Sequence, residues 1–283
     1  VWEWGKSVVP YCYCTFKSKC WASGVHRCTR ASQSCLRKIV SYYYVVHKRL
    51  LRRAHRGLQL ILQRTPSWEI WSLKEAAPVM RSRIASLVRP ARFRRCRASC
   101  GDVEDPVTCM VIDASQFYEQ TSPEDGITAV AWNMAWVTRH TCHDTVSVLD
   151  GQGARGSLGG RIPTNGFVPR NVKVMVFGFA ELLSLYALCI LMTLVQLGNT
   201  MWHIPHTPIG NIMGRVTVAA ISGRMEIETD LNWQQWRYAL EIVSSWTRQQ
   251  VIALGKYVDD LLGVSHVLCW KCMYLFHEWC LPF

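Results

Sequence analysis

Val251-Ile-Ala-Leu-Gly-Lys-Tyr-Val-Asp-Asp-Leu-Leu-Gly-Val264 is the stretch that decides the fold. Two apolar runs, Val251–Leu254 and Leu261–Val264, are joined through Gly255-Lys256-Tyr257-Val258 and the acids Asp259 and Asp260. Short apolar runs meeting at a polar turn predict a β-hairpin, and this turn presents both carboxylates. Upstream, Val107-Thr-Cys-Met-Val-Ile112 is a second β-branched run, which ends in Asp113 and continues as Ala114-Ser-Gln-Phe-Tyr118. Aspartates at the ends of buried strands are held rigidly, so Asp113, Asp259 and Asp260 are expected to converge. Three converging carboxylates offer the hard oxygen ligands that two Mg²⁺ ions need, and such ion pairs serve phosphoryl transfer. The plain alternative for Asp259-Asp260 is an acidic surface turn.

These acids sit in a basic chain. Its 283 residues include 32 Lys+Arg and 20 Asp+Glu, a formal net charge of +12. Sixteen of the basic residues, but only the acids Glu69 and Glu75, fall between Arg37 and Arg97, so the remainder is near neutral. A concentrated basic region beside a neutral body is the footprint expected for nucleic-acid phosphates; a solubilising helix or an anionic lipid surface is the blander source. Within it, Leu36–Gln63 is predicted to be one amphipathic helix. Leu36, Val40, Tyr43, His47, Leu50, Ala54, Leu58 and Ile61 recur at three- and four-residue steps. Arg49, Arg52, Arg53 and Arg56 fall on the opposite half, with Arg37, Lys38 and Lys48. Thr65-Pro66-Ser67 ends the helix, and Pro78 and Pro90 are expected to break the next stretch of chain into short pieces. Arg92, Arg94, Arg95 and Arg97 form a second basic knot.

A hydrophobic fraction of 49% excludes disorder, and no collagen, mucin or coiled-coil bias is present. Thirteen cysteines, an odd number spread along the chain, argue against a secreted disulfide framework and predict a reducing, intracellular compartment. No charged segment followed by an apolar one succeeds Val1, so no signal peptide is expected. Cys12, Cys14, Cys20, Cys28, Cys35 and His26 contain no Cys-x₂-Cys pair, which favours a poorly specified segment over a metal site there.

Tyr257-Val-Asp-Asp260 resembles motif C of reverse transcriptases, and Asp113-Ala-Ser-Gln-Phe-Tyr118 resembles their motif A. Between them, Thr207-Pro-Ile-Gly-Asn-Ile-Met-Gly-Arg-Val216 is similar to motif B, with His206 and Thr207 in place of its leading glycine and that glycine's neighbour, and Gly214 where a serine is common. The resemblance covers about residues 100–275, in the order A, B, C. It implies an α+β right-hand polymerase palm, an antiparallel sheet backed by helices, with partial and mainly helical fingers. Asp113, Asp259 and Asp260 would then bind two Mg²⁺ ions for transfer of a nucleotide from a dNTP to a primer 3′-hydroxyl. Tyr118 takes the steric-gate position beneath the sugar, with a plain core tyrosine as the alternative. Pro208, Gly210, Asn211 and Tyr257 would contact the nucleotide or template, with a helix opening at Val216–Ser222. Arg49, Arg52, Arg53, Arg56, Arg92, Arg94 and Arg95 would track the backbone of an RNA or DNA template-primer. The implied division is a Cys-rich segment 1–36, a basic fingers-like region 37–100, and a palm 101–283 with an insertion between motifs A and B. Only 23 residues follow Asp260, so the thumb is expected to be missing, as in a truncated retroelement copy or a fragment.

Other signals remain. Gly151-Gln-Gly-Ala-Arg-Gly156 matches G-x-G-x-x-G but lacks the acid about 20 residues on, and is expected to be a loop. Val174–Leu197 is apolar enough to span a bilayer, yet Glu181 and Gln196 favour a buried helix. Downstream of His266, the spacing Cys269-x₂-Cys272-x₄-His277-x₂-Cys280 gives four candidate zinc ligands, or the small core positions of one helix. Trp233, Trp236 and Trp246 are expected in a core rather than stacked on bases. Two further function classes fit parts of the chain: a non-catalytic nucleic-acid-binding protein, which needs the basic helix alone, and a small membrane protein spanning at 174–197.

Overall fold

The computed structural model describes residues 11–16, 36–41, 45, 47–89, 100, 107–113, 122–149, 156–160, 174–197, 208–257 and 260–280. In chain order its elements begin with β1 (Tyr11–Phe16), β2 (Leu36–Ser41), α1 (Lys48–Leu62), α2 (Leu73–Ala85) and β3 (Thr108–Asp113). Next come α3 (Pro123–Thr141), β4 (Thr145–Leu149), β5 (Gly156–Leu158), β6 (Val174–Gly178), α4 (Phe179–Leu197) and α5 (Pro208–Leu231). The last are α6 (Trp233–Ala239), α7 (Arg248–Val251), β7 (Ala253–Tyr257), β8 (Asp260–Ser265) and α8 (Trp270–Cys280). This is a mixed α+β fold whose described strands form three small antiparallel sheets, β1-β2, β5-β4-β6 and β3-β8-β7. The chain divides into two compact units, Val1–Arg64 with Tyr118–Thr217, and Thr65–Phe117 with Val218–Phe283.

In the first unit, Leu36–Ser41 is a strand paired with Tyr11–Phe16, not the start of the helix that the periodicity predicts. Ile39-Val40 and the tyrosines and valines that follow are β-branched or aromatic, and such side chains lose rotamer freedom against a helical turn. The helix therefore spans only Lys48–Leu62. Its buried stripe is Leu51, Ala54, Leu58 and Ile61, with Leu51 rather than Leu50 turned fully inward and His47 exposed. Arg49 and Arg52 are exposed on the other side, and Arg53 and Arg56 are half-buried. Gly57 lets α1 lie close to its neighbours: a Cβ there would stand 3.1 Å from Val146 on β4 and 3.2 Å from Leu182 on α4.

The apolar run from Val174 divides into β6 and α4, because Gly178 follows Val174-Met-Val-Phe177, whose valines and phenylalanine favour a strand. Leu182, Tyr186, Cys189 and Ile190 of α4 are buried, while Leu188 and Leu191 are exposed. Among the described residues no helix is long and apolar enough to cross a membrane. Gly156 belongs to β5, and the rest of the glycine-rich stretch, 151–155, lies outside the described residues.

In the second unit the β3-β8-β7 sheet has a different cover on each face. One face packs on Trp68, Trp233, Leu240, Leu268, Met273 and Phe276, with Trp236 and Trp246 against that cluster, so the tryptophans fill a core as expected. The other face meets Ile70, Met80 and Leu87. Helix α2 runs through Pro78, correcting the expectation of a break there. Pro78 lies on the exposed side, and Ser72 caps the helix by accepting from the Lys74 amide. Gly255 is where α2 comes closest, since a Cβ there would collide with Met80 and stand 3.0 Å from Ile70.

Candidate active site

The hairpin read from the sequence is present. β7 pairs with β8 from Ala253↔Val264 to Tyr257↔Asp260, which leaves Val258-Asp259 as the connection. β3 lies on the other side of β8, and its register runs from Thr108↔Ser265 to Asp113↔Asp260. Two of the three aspartates, 147 residues apart in the sequence, are thus cross-strand partners. Asp259 lies outside the described residues, as does the side chain of Asp113.

Directly opposed residues of an antiparallel pair share one face of the sheet, with Cβ atoms about 4.5–5.5 Å apart. The register therefore puts Tyr257, Asp260 and Asp113 on the face that also holds Gly255, Leu262 and Val111, then Ala253, Val264 and Cys109. Ala253, Val264 and Leu262 are covered by Ile70, Met80 and Leu87. That cover stops short of the acids: Val111 is 73% exposed, and Asp260 is exposed. The strand bodies are anchored while Asp260, at the end of β8, reaches solvent. Among the described residues no ion pair occupies Asp260.

Behind the acids, on the opposite face, Lys256 is buried within its strand. Its ammonium lies 3.6 Å from the Glu69 carboxylate and donates to the Val218 carbonyl and to Ser222 Oγ. The backbone supports this pair: Lys256 N donates to Trp68 O at 2.9 Å, and Ile70 N donates to Lys256 O at 2.6 Å. Residues 68–70 therefore close the outer edge of β7, bridged in parallel at Glu69↔Lys256. Arg83 of α2 donates to the carbonyls of Trp68 and Leu254 and ties the same edge down.

A second buried cluster fixes α7, which leads into β7. Arg248 is 5% exposed, donates to Asp230 at 2.6 Å and Glu226 at 3.3 Å, and lies over the Trp68 ring. Burial pushes the Glu226 carboxyl up to about 8, against the pull of Arg248, while the nearby Asp230 pushes the same way as burial. Asp230 holds the guanidinium at the shorter distance, which leaves Glu226 the less compensated acid. Thr247 and Gln250 close a reciprocal capping box at the start of α7.

Pro208, Gly210 and Asn211 form the first turn of α5, so the helix opens at Pro208 rather than Val216, with proline where its missing N–H costs least. They belong to the first unit, and their side chains lie outside the described residues. Tyr118, Arg92, Arg94 and Arg95 also lie outside them. Tyr257 is half-buried at the end of β7. Of the four candidate zinc ligands, Cys269 and Cys272 come together at the start of α8, joined by Cys100. His277 is half-buried farther along α8 and outside that group; burial lowers its pKa, partly offset by Glu278. The Cys280 side chain lies outside the described residues.

The fold as a whole has a counterpart among solved structures. The fold resembles that of a telomerase. The match is to the telomerase from Candida albicans, solved in complex with the TWJ fragment of telomeric RNA. It has a TM-score of 0.51 at 10% sequence identity, over 98% of this chain and 41% of that one. The chain thus spans under half the length of the telomerase chain it matches, and at this identity the likeness is one of fold. No protein-family model matches the sequence, and no curated protein does.

Sequence reasoning missed three features of the second unit: Glu69 with Lys256, the Arg248–Glu226–Asp230 cluster, and Cys100 beside Cys269 and Cys272. The first had a visible signal. Lys256 interrupts an apolar strand, and a charge in a buried strand needs a buried partner; Glu69 stands in the equally apolar Trp68-Glu-Ile-Trp71. Nothing local marks Cys100 as the partner of a pair 169 residues away.

Proposed function

We propose that this chain is a reverse-transcriptase-like, RNA-directed DNA polymerase, with the β3-β8-β7 sheet as its palm. The observation that supports this most directly is the register of Asp113 against Asp260, at uncovered strand ends beside the Tyr257-Val-Asp-Asp260 hairpin. The likeness of fold to a telomerase is in keeping with it. The donor chemistry fits Mg²⁺, since carboxylates at cross-strand positions offer the hard oxygen ligands it prefers, and Asp260 is exposed. Asp113, Asp259 and Asp260 would hold two ions, which when bound supply Lewis-acid charge for the attack of a primer 3′-hydroxyl on a dNTP and for the departing pyrophosphate.

The chain's own contribution is positioning. β3 and β8 fix the carboxylates through their ladder, and the apolar cover on one face and the Lys256–Glu69 pair on the other keep the strands from sliding. Tyr118 would sit beneath the incoming sugar, while Pro208, Gly210, Asn211 and Tyr257 would support the nucleotide and template. Arg49, Arg52, Arg53 and Arg56, with Arg92, Arg94 and Arg95, would neutralise backbone phosphates of the template-primer. The test is primer extension on an RNA template with Mg²⁺ and dNTPs. Extension that is lost in Asp259→Asn and in Asp260→Asn supports the proposal. No extension by the wild type, or extension unchanged by both substitutions, rejects it.

A further inference from the structure

Three thiols meet in the second unit, away from the acids. Cys269 immediately precedes α8, where its carbonyl accepts from the Met273 amide at 2.9 Å, and Cys272 follows within the first turn. The third, Cys100, precedes β3. Its sulfur lies 3.5 Å from that of Cys272, and the three sulfurs all lie within 4.8 Å of one another. A disulfide would bring two sulfurs to about 2.05 Å. Tetrahedral zinc with Zn–S bonds of about 2.3 Å holds its sulfurs about 3.8 Å apart. The observed spacing excludes a bonded pair, fits a thiol–thiol contact, and leaves room for an ion among the three sulfurs.

The surroundings agree. Cys272 is fully buried and the other two are half-buried, so an ion would be shielded on one side and open on the other. Three core thiols could fill the same volume as small apolar groups, but apolar packing does not require three sulfurs to converge. Cys-x₂-Cys at a helix start is also the spacing of a zinc half-site, and the helix N-terminus favours thiolate.

We propose that Cys100, Cys269 and Cys272 bind one zinc ion as thiolates. This site is independent of the polymerase proposal. It differs from the set suggested by the sequence, since Cys100 enters from before β3 and His277 takes no part. The ion would fasten the segment entering β3 to the helix leaving β8, and so clamp the strand pair that bears Asp113 and Asp260.

The experiment uses the full chain, reduced, stripped with a chelator and titrated with Co²⁺, with thiolate-to-cobalt charge-transfer absorption as the readout. The wild type is expected to show a band that one equivalent of Zn²⁺ removes. Cys100→Ser and Cys269→Ser should each lose it or weaken Co²⁺ binding at least tenfold, and His277→Ala should keep it. Both serine variants change half-buried positions, so the test does not depend on Cys272→Ser folding. Because the chain has other cysteines, the decisive quantity is the difference between wild type and variant. A wild type with no zinc-displaceable band overturns the proposal. So does a Cys100→Ser variant that keeps the full band, or a His277→Ala variant that loses it.

Discussion

Glu226 gives the sharpest test of how the second unit is held together. It is 6% exposed, and its carboxyl is raised to about 8 from an ordinary value of 4.5, with burial the leading cause. A carboxyl whose folded pKa lies above its unfolded one is a group the native state prefers protonated. Its stabilising contribution is complete below about 4.5 and is lost as pH rises towards 8. Inside that window the unfolded chain has released a proton that the folded chain retains. The stability loss is then one proton's worth, at most about 1.4 kcal/mol per pH unit. Across pH 5.5–7.5 the ceiling is about 2–3 kcal/mol, a substantial part of the stability of a domain this size. Glu226→Gln keeps the shape and removes the titration. Urea denaturation of both proteins at pH 5.5, 6.5 and 7.5 reads the effect, and the pH slope of their difference cancels every other group. The variant should gain on the wild type as pH rises. A difference that stays flat across the three pH values would refute a raised Glu226. One that turns against the variant at pH 7.5 would mean that attraction to Arg248 outweighs the cost of burying the charge.

Other expectations rest on the same packing. In the first unit His55 is buried, and its pKa is lowered to about 3 by burial, with Arg56 and Arg215 adding to the effect. Its contribution is present above pH 6.5 and lost as pH falls towards 3, so His55→Gln should flatten the acid limb of a urea series, and an unchanged limb would count against it. Lys256→Met leaves Glu69 buried without its ammonium partner and should cost about 3–5 kcal/mol. Adding Glu69→Met should recover much of that loss in guanidinium melts, and strictly additive costs would argue that the two groups do not interact. Gly255→Val drives side-chain atoms into Met80 and should cost about 1–3 kcal/mol, partly restored by Met80→Ala in the same melts. Arg49→Ala/Arg52→Ala, at two exposed positions, should lower the salt dependence of RNA binding by about two phosphate contacts, and an unchanged slope in fluorescence anisotropy would remove α1 from the interface.

The hairpin at Tyr257–Asp260 was legible because its cause is local. Two apolar β-formers flank a polar pair, and the only long-range information needed was that Asp113 ends a similar run. The β3–β8 register could be anticipated in outline, since both strands terminate in acids. The helix at Leu36 misled because three- and four-residue spacing persists through residues whose branched and aromatic side chains prefer a strand; at Leu36–Ser41 strand pairing with β1 outweighs the helical pattern. Pro78 misled in the opposite direction. A good cap at Ser72 and packing of Met80 against the sheet sustain α2 through it. The Lys256–Glu69 pair left one trace, a charge inside an apolar strand, whereas the Arg248 cluster and the cysteine trio were not legible, because each depends on which faces the fold turns inward.

One consequence of the β3-β8-β7 order concerns when the site forms. β7 and β8 are neighbours in sequence and can close as a hairpin within microseconds. The ladder that sets Asp113 across from Asp260 spans 147 residues, and its loop-closure entropy must be met before any of its contacts exist. During synthesis Asp113 emerges long before its partner, so the paired acids cannot form until all of the intervening chain has been made. Folding order therefore acts as a timer, in which the acidic pair matures after the β7–β8 hairpin.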